Sequence, residues 1–303
     1  MTPLKKYPEL AKALGVSDLY FKREDLHPFG SHKGRSIPIM IDHYYQNGNR
    51  QFAISSSGNA ALAAALYIQE INSKNSQPAE LDIFVGRHIA PHKLEKLKTL
   101  ATGGDTINRV STKGDNNPIR VLIKERPLQA LTEAIQEGKR SLRQSTDDTA
   151  LLGYESLAKE LAEVKGIGAV FIGTSSGTTA QALAEYFLKE KLPIQVHIVQ
   201  TSSCHPMSAE FENYDGPDED SVADAIVDQT ALRRTKLVPL IKKTSGYAWV
   251  ASNDNIETAL SLTEKNTGLQ ISTNSALSVA GVAQAIYRSW EIKGGVVCLI
   301  CGE

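Results

Sequence analysis

The sequence predicts an α/β protein built on mostly parallel sheets. Short, continuously apolar runs bounded by turn residues alternate with longer segments of helical period, and strands of that kind need helices on both faces of their sheet. Dividing 303 residues by roughly 150 per domain suggests about two domains, each large enough for its own core. With 41% apolar and 22% charged residues the composition is that of an ordinary globular protein, which excludes collagen-like and disordered chains.

The strands expected in chain order are Leu19–Lys22, Gln51–Ile54, Leu81–Val85, Thr106–Val110, Ala169–Ile172, Gln195–Val199, Tyr247–Ala251 and Val296–Ile300. Between them, apolar side chains return every three or four positions over Ala60–Gln69, Lys93–Ala101, Leu128–Glu137, Tyr154–Glu163, Thr178–Lys189, Ile256–Thr267 and Ala276–Trp290. Pro91 suits a first helical turn, where its missing N–H would be unbonded anyway. Gly138 and Gly268 suit the left-handed position after a helix end. Polar stretches without period mark loops at Asn72–Gln77, Lys113–Asn117, Ser141–Thr149 and Asn213–Asp220, and Ser141–Thr149 reads as a crossing between domains. No internal repeat is visible.

Charge and cysteine content narrow the partners. A net charge of −1 and a pI of about 6.7 supply no general field for nucleic acid or an anionic membrane, so neither is expected as a partner. The longest apolar run, from Ala60 to Ile68, falls far short of the roughly 20 residues of a membrane span. The start, MTPLKKYPELAKALG, has no export signal. Three cysteines do not make a disulfide framework, and a reducing, cytoplasmic setting is expected.

Three turns carry chemistry. In KREDLHPFGSHKGR, Lys22 to Arg35, a strand leads through a Gly-containing loop to Lys33 just before a helix. A partly desolvated lysine near helix-start amides favours the neutral amine that attacks carbonyls, although most lysines are solvated surface charges. In ISSSGNAALAAA, Ile54 to Ala65, a strand runs into Ser55, Ser56, Ser57 and Gly58, and a helix begins near Asn59. Such a turn aims backbone N–H groups at an anion, while the plain alternative is a helix cap. In VFIGTSSGTTAQAL, Val170 to Leu183, the amides and hydroxyls of Ser175, Ser176, Gly177, Thr178 and Thr179 can surround a phosphate at a helix start. The loop lacks both the P-loop ending and dinucleotide spacing, so a monophosphate fits better than a triphosphate or NAD.

Cys298 and Cys301 stand in a C-x-x-C spacing at a strand. With no second cysteine pair nearby, neither zinc nor any other metal site is expected, and Cys298 reads as a buried structural residue. His88 and His92 are four apart, but Pro91 between them argues against one metal-binding helix face.

A lysine after a Gly-Ser loop, then SSGN, then a Ser/Thr/Gly phosphate loop, then a terminal strand ending near glycine: this order resembles the fold-type II pyridoxal-phosphate enzymes over nearly the whole chain. VHIVQTSSCHPMSAEF at Val196–Phe211, SVADAIVDQTALRR at Ser221–Arg234 and ISTNSALSVAGV at Ile271–Val282 look like threonine synthase segments within that family. The resemblance implies two three-layer α/β domains with mostly parallel sheets and pyridoxal 5'-phosphate in the cleft between them. Residues 1–35 and 144–303 would form the large cofactor-binding domain and 36–143 a small mobile one.

By the same resemblance, Lys33 would form the Schiff base and Asn59 would contact the ring hydroxyl oxygen. Ser55, Ser56, Ser57 and Gly58 would receive the substrate carboxylate. Ser175–Thr179 would hold the cofactor phosphate, and Cys301 would stand beside the pyridine nitrogen where the family usually has Ser or Thr. Ala150 occupies a position that in threonine synthases normally carries an arginine for a substrate phosphate. The implied function is a lyase or synthase of the threonine synthase or serine/threonine dehydratase kind, acting by elimination on a small L-amino acid, with a homodimer as the usual assembly. The alternatives are β-replacement of the cysteine synthase kind and a non-catalytic member that binds the cofactor or an amino acid.

Overall fold

The computed structural model describes residues 1–101, 117–217 and 219–302. In chain order it begins β1 (Leu4–Lys6), α1 (Pro8–Leu14), β2 (Leu19–Arg23), α2 (Lys33–Gln46), β3 (Gln51–Ser55), α3 (Asn59–Lys74), β4 (Glu80–Gly86) and α4 (Pro91–Ala101). It continues with β5 (Ile119–Lys124), α5 (Pro127–Gln136), β6 (Arg140–Ser141), α6 (Thr149–Ala162), β7 (Ile167–Gly173) and α7 (Thr178–Lys189). The remainder is β8 (Gln195–Thr201), α8 (Arg234–Lys243), β9 (Ala248–Ala251), α9 (Asn253–Thr267), α10 (Thr273–Tyr287) and β10 (Gly295–Ile300). The strand expected at Thr106–Val110 and most of the polar stretch from Lys113 lie outside the described residues.

The chain divides into two units, Met1–His27 with Tyr154–Glu303, and Pro28–Gly153. In the first, six strands pair in the order β1-β2-β10-β7-β8-β9, all parallel except the antiparallel edge strand β1. Phe21, Phe171, Val199, Trp249, Val296 and Cys298 face a core shared with α1, α9 and α10. Their buried neighbours in the strands point to the opposite face, which α7 and α8 cover.

In the second unit four parallel strands pair in the order β5-β4-β3-β6. Phe52, Ile54, Leu81 and Ile83 pack under α2 and α3, while Ala53 and Phe84 meet Ala130, Leu131 and Ala134 of α5 on the other face. Each unit is therefore a three-layer α/β sandwich. At roughly 1.5–3 kcal/mol for each fully buried large apolar side chain, each of these cores outweighs any single polar contact described below.

Residues 28–35 and 144–153, assigned by the sequence reading to the larger domain, fall in the second unit. The cause is local packing. The Ser36 hydroxyl donates to the Ala150 carbonyl at 2.7 Å. A Cβ on Gly153 would lie 2.3 Å from the Arg35 carbonyl oxygen and 2.4 Å from Ser36 Cα. Only a residue without a side chain lets α6 approach the α2 backbone so closely.

Candidate active site

In the unit of residues Pro28–Gly153 the chain lays down β3, β4 and β5 in one direction and then returns to pair β6 on the far side of β3. A reversal of that kind leaves a crevice beyond the carboxyl ends of the two strands, the usual ligand position in parallel α/β sheets. Ser55–Gly58 leave the sheet at this edge from β3, and residues 142–148 leave it from the adjacent β6, whose continuation is held by the Leu142 N–H on the Ala53 carbonyl at 2.9 Å.

Gly58 is the cap position of α3 and supplies no side chain; its N–H donates to Ser56 Oγ at 3.3 Å. Asn59 is thus the first residue inside the helix, not its cap. Ser57 is exposed, and Ser55, Ser56 and Asn59 are half-buried.

Lys33 is the first residue of α2. Its backbone N–H donates to the hydroxyl of the fully buried Ser31 at 3.2 Å, and its Nζ donates to Gln144 Oε1 at 2.6 Å. Gln144 follows β6, so the amine sits at the edge from which the Ser55–Asn59 turn departs. The turn that carries Gln144 is itself pinned by Asp147. This carboxylate accepts from Tyr44 Oη at 2.6 Å, from Arg140 at 3.0 Å and from the Thr149 N–H at 2.9 Å, and the Arg140 guanidinium lies over the Tyr44 ring, 3.7 Å from its centroid. Burial alone would raise the Asp147 pKa, but the hydrogen bonds from Tyr44, Thr149 and Arg140 outweigh it and hold the group below the usual carboxylate value.

The six-stranded unit has its own reversal. From β7 the chain moves outward through β8 and β9, then crosses back to place β10 on the other side of β7. Ser175–Thr179 follow β7 and Cys301 follows β10, so both groups stand at the carboxyl edge of neighbouring parallel strands.

Gly177 caps α7 with φ +82°, and a Cβ there would come within 2.7 Å of Leu237 Cδ2 and 3.1 Å of Met207 Cε. A glycine satisfies both the dihedral and the space. Thr178 and Thr179 are buried in the first turn, and Ser176 Oγ lies 3.1 Å from Thr178 Oγ1. The Ser175 oxygen already accepts the Val227 and Asp228 N–H groups at 3.2 Å each, which ties the loop to the 224–228 segment.

Cys301 is buried just past the strand end, as the expected strand Val296–Ile300 placed it. The neighbouring Gly302 carbonyl accepts from Ser272 and Ser275 at the start of α10, at 2.6 and 3.3 Å. Cys298 lies inside β10, and burial pushes its thiol up to about 12.

Taken unit by unit, each sheet edge offers chemistry of its own. A helix start whose cap has no side chain, together with four hydroxyl-bearing residues, matches a phosphate group. In the Pro28–Gly153 unit, an amine held on an amide oxygen is a group of the kind that bonds to an aldehyde. Lys33 and Ser55–Asn59 share one sheet edge, and Ser175–Thr179 and Cys301 share the other. Gln144 belongs to no motif, and sequence reasoning passed over it within a polar loop. His88 precedes α4 and His92 lies within it, both exposed. Among the described residues, no group of three metal-binding side chains occurs and no helix is long and apolar enough to cross a membrane.

The chain is 26% identical over 314 residues to threonine synthase of Mycobacterium bovis, covering all of this chain and 81% of that protein. It is 25% identical over 299 residues to threonine synthase of Methanosarcina acetivorans, covering 94% and 69%. In fold it resembles a pyridoxal 5'-phosphate-dependent aspartate racemase, with a TM-score of 0.80, 18% identity and coverage of 99% and 89%. Threonine deaminase isoform 2 from Solanum lycopersicum gives 0.76, 20%, 99% and 83%. The family described as "Pyridoxal-phosphate dependent enzyme" matches residues 1–302, and the chain belongs to that family.

Proposed function

We propose that this chain is a pyridoxal-phosphate-dependent lyase that acts on a small L-amino acid by elimination, in the manner of threonine synthases and serine/threonine dehydratases. The observation that carries this reading is Lys33 Nζ on Gln144 Oε1 at the sheet edge where the Ser55–Asn59 turn begins. Pyridoxal phosphate, when bound, supplies an aldehyde that bonds to amino groups and a ring that draws electrons from the substrate Cα.

The chain's own residues do the rest. Lys33 is the covalent anchor, and once displaced its Nζ takes the Cα proton as general base. The hydroxyls and amides of Ser55, Ser56, Ser57 and Gly58 bind the substrate carboxylate. Asn59 meets the ring hydroxyl oxygen, and Ser175–Thr179 hold the phosphate at the positive end of α7. Cys301 stands beside the ring nitrogen in place of an aspartate, which leaves that nitrogen largely unprotonated, a state suited to elimination.

Ala150 is wholly buried and offers no charge to a substrate phosphate. An uncharged leaving group therefore fits better than a phosphorylated one, for which a charge-assisted contact is worth roughly 1.5–3 kcal/mol. The reading also includes a homodimer, supported by exposed apolar surface at Val222, Val227 and Leu232, and a cytoplasmic location, supported by three unbridged cysteines.

The test is visible absorbance of protein mixed with the cofactor, in wild type and Lys33→Ala, followed by an amino-acid panel scored for ammonia or phosphate release. L-serine or L-threonine should turn over in preference to O-phosphohomoserine. A colourless wild type would reject the assignment.

A further inference from the structure

Gln144 is 5% exposed, and its amide oxygen accepts from the Lys33 amine, 111 residues earlier in the chain, at 2.6 Å. Both ends of its turn are fixed. Leu142 is bonded to β3, and Asp147 gathers Tyr44, Arg140 and the start of α6. Such bracing holds the turn from both sides, and a reacting group requires support placed to within roughly half an ångström.

We propose that Gln144 is a positioning residue for Lys33, holding Nζ on target whenever the lysine is not covalently engaged. This rests on Lys33 being the covalent anchor. When a substrate amine replaces the lysine at the aldehyde carbon, the C–Nζ bond breaks and a bond from carbon to the substrate nitrogen forms. The two protons of the incoming amine end on Nζ, which becomes an NH2 group. One of these N–H bonds donates to Gln144 Oε1, while the nitrogen lone pair stays free to take the Cα proton or to return to the carbon. A neutral amide suits this task. A carboxylate at the same distance would favour the ammonium, which has no lone pair to offer.

The experiment measures covalent capture of Lys33 in cofactor-free protein. Pyridoxal phosphate is added, the adduct is trapped with borohydride at intervals, and the modified lysine is identified by peptide mass mapping. Pyridoxine 5'-phosphate, which has no aldehyde, reports non-covalent binding in parallel. Gln144→Met, similar in length but without the amide, should capture roughly two- to tenfold more slowly than wild type, the range expected for a neutral hydrogen bond. Its affinity for pyridoxine 5'-phosphate should stay within about twofold.

Gln144→Glu keeps both length and oxygen and so guards against a folding defect in the first variant; it should also slow capture at least tenfold at neutral pH. Wild-type capture rates in either variant would overturn the proposal, as would parallel loss of capture and pyridoxine 5'-phosphate binding in both, which marks a structural role. An adduct on a lysine other than Lys33 in the wild type would overturn the anchor assignment itself.

Discussion

Lowering the pH should destabilise the six-stranded unit through His197. This ring is fully buried, stacked 4.3 Å from Phe171, with the two tryptophans of the chain beside it. Its Nε2–H donates to Gln195 Oε1 at 3.0 Å, and its Nδ1 accepts from the Tyr247 N–H at 3.1 Å and the Trp249 Nε1–H at 3.2 Å. Both nitrogens are therefore committed to the neutral form. Burial pushes the pKa down from 6.5 to about 3.

The unfolded chain takes up this proton below pH 6.5, whereas the folded one does so only near pH 3. Stability from this group is thus complete above the unfolded value and is lost as pH falls through the window between the two. Between pH 7 and pH 5 the loss is about 2 kcal/mol, at 1.36 kcal/mol per unit. The assay is urea unfolding followed by tryptophan fluorescence at both pH values, in wild type and in His197→Asn, whose amide oxygen can still accept. Subtraction removes the carboxylates common to both proteins. An equal pH effect in the two would refute the reasoning.

Gly177→Asp should weaken retention of the cofactor at least tenfold in equilibrium dialysis, because it combines left-handed strain of roughly 1–2 kcal/mol with a negative charge in an anion site. Gly153→Ala should lower the stability of the Pro28–Gly153 unit by roughly 1–3 kcal/mol in denaturant titration, since its methyl group would collide with the Arg35 backbone. Cys298, whose thiol is pushed up to about 12, should resist iodoacetamide at pH 8 in the native protein and react once it is unfolded; mass mapping of the alkylated cysteines checks this.

Strands such as Val170–Ile172 and Val297–Ile300 were legible because a strand covered on both faces needs no polar alternation, and their apolar runs stand out. The extent of α2 beyond its start near Lys33, and the whole of α8, were not, since Pro38 and Pro239 interrupt their helical pattern. Two-residue β6 carries no periodic signal at all. By contrast β5 alternates in a readable way, with Ile119 and Val121 buried between less buried neighbours, although the expected strand stands earlier, at Thr106. Site turns beginning with Ser or Gly after an apolar run announce themselves locally. Gln144 does not, because its meaning lies in Lys33, which only the pairing of β6 with β3 brings near.

The middle of the six-stranded sheet has a consequence for synthesis. Its central strand β10 spans Gly295–Ile300, yet one neighbour, β2, is complete at residue 23. At ribosomal speeds of roughly 5–20 residues per second, β2 emerges some 15–55 s before the strand it must pair with. Throughout that interval β2, joined by β7 once residue 173 has been made, offers an open hydrogen-bonding edge to the surrounding solvent or to another nascent copy. Chaperone demand during translation should consequently track the delay in delivering residues 295–300, and codon changes that slow elongation ahead of them should raise the aggregated fraction without altering the finished protein.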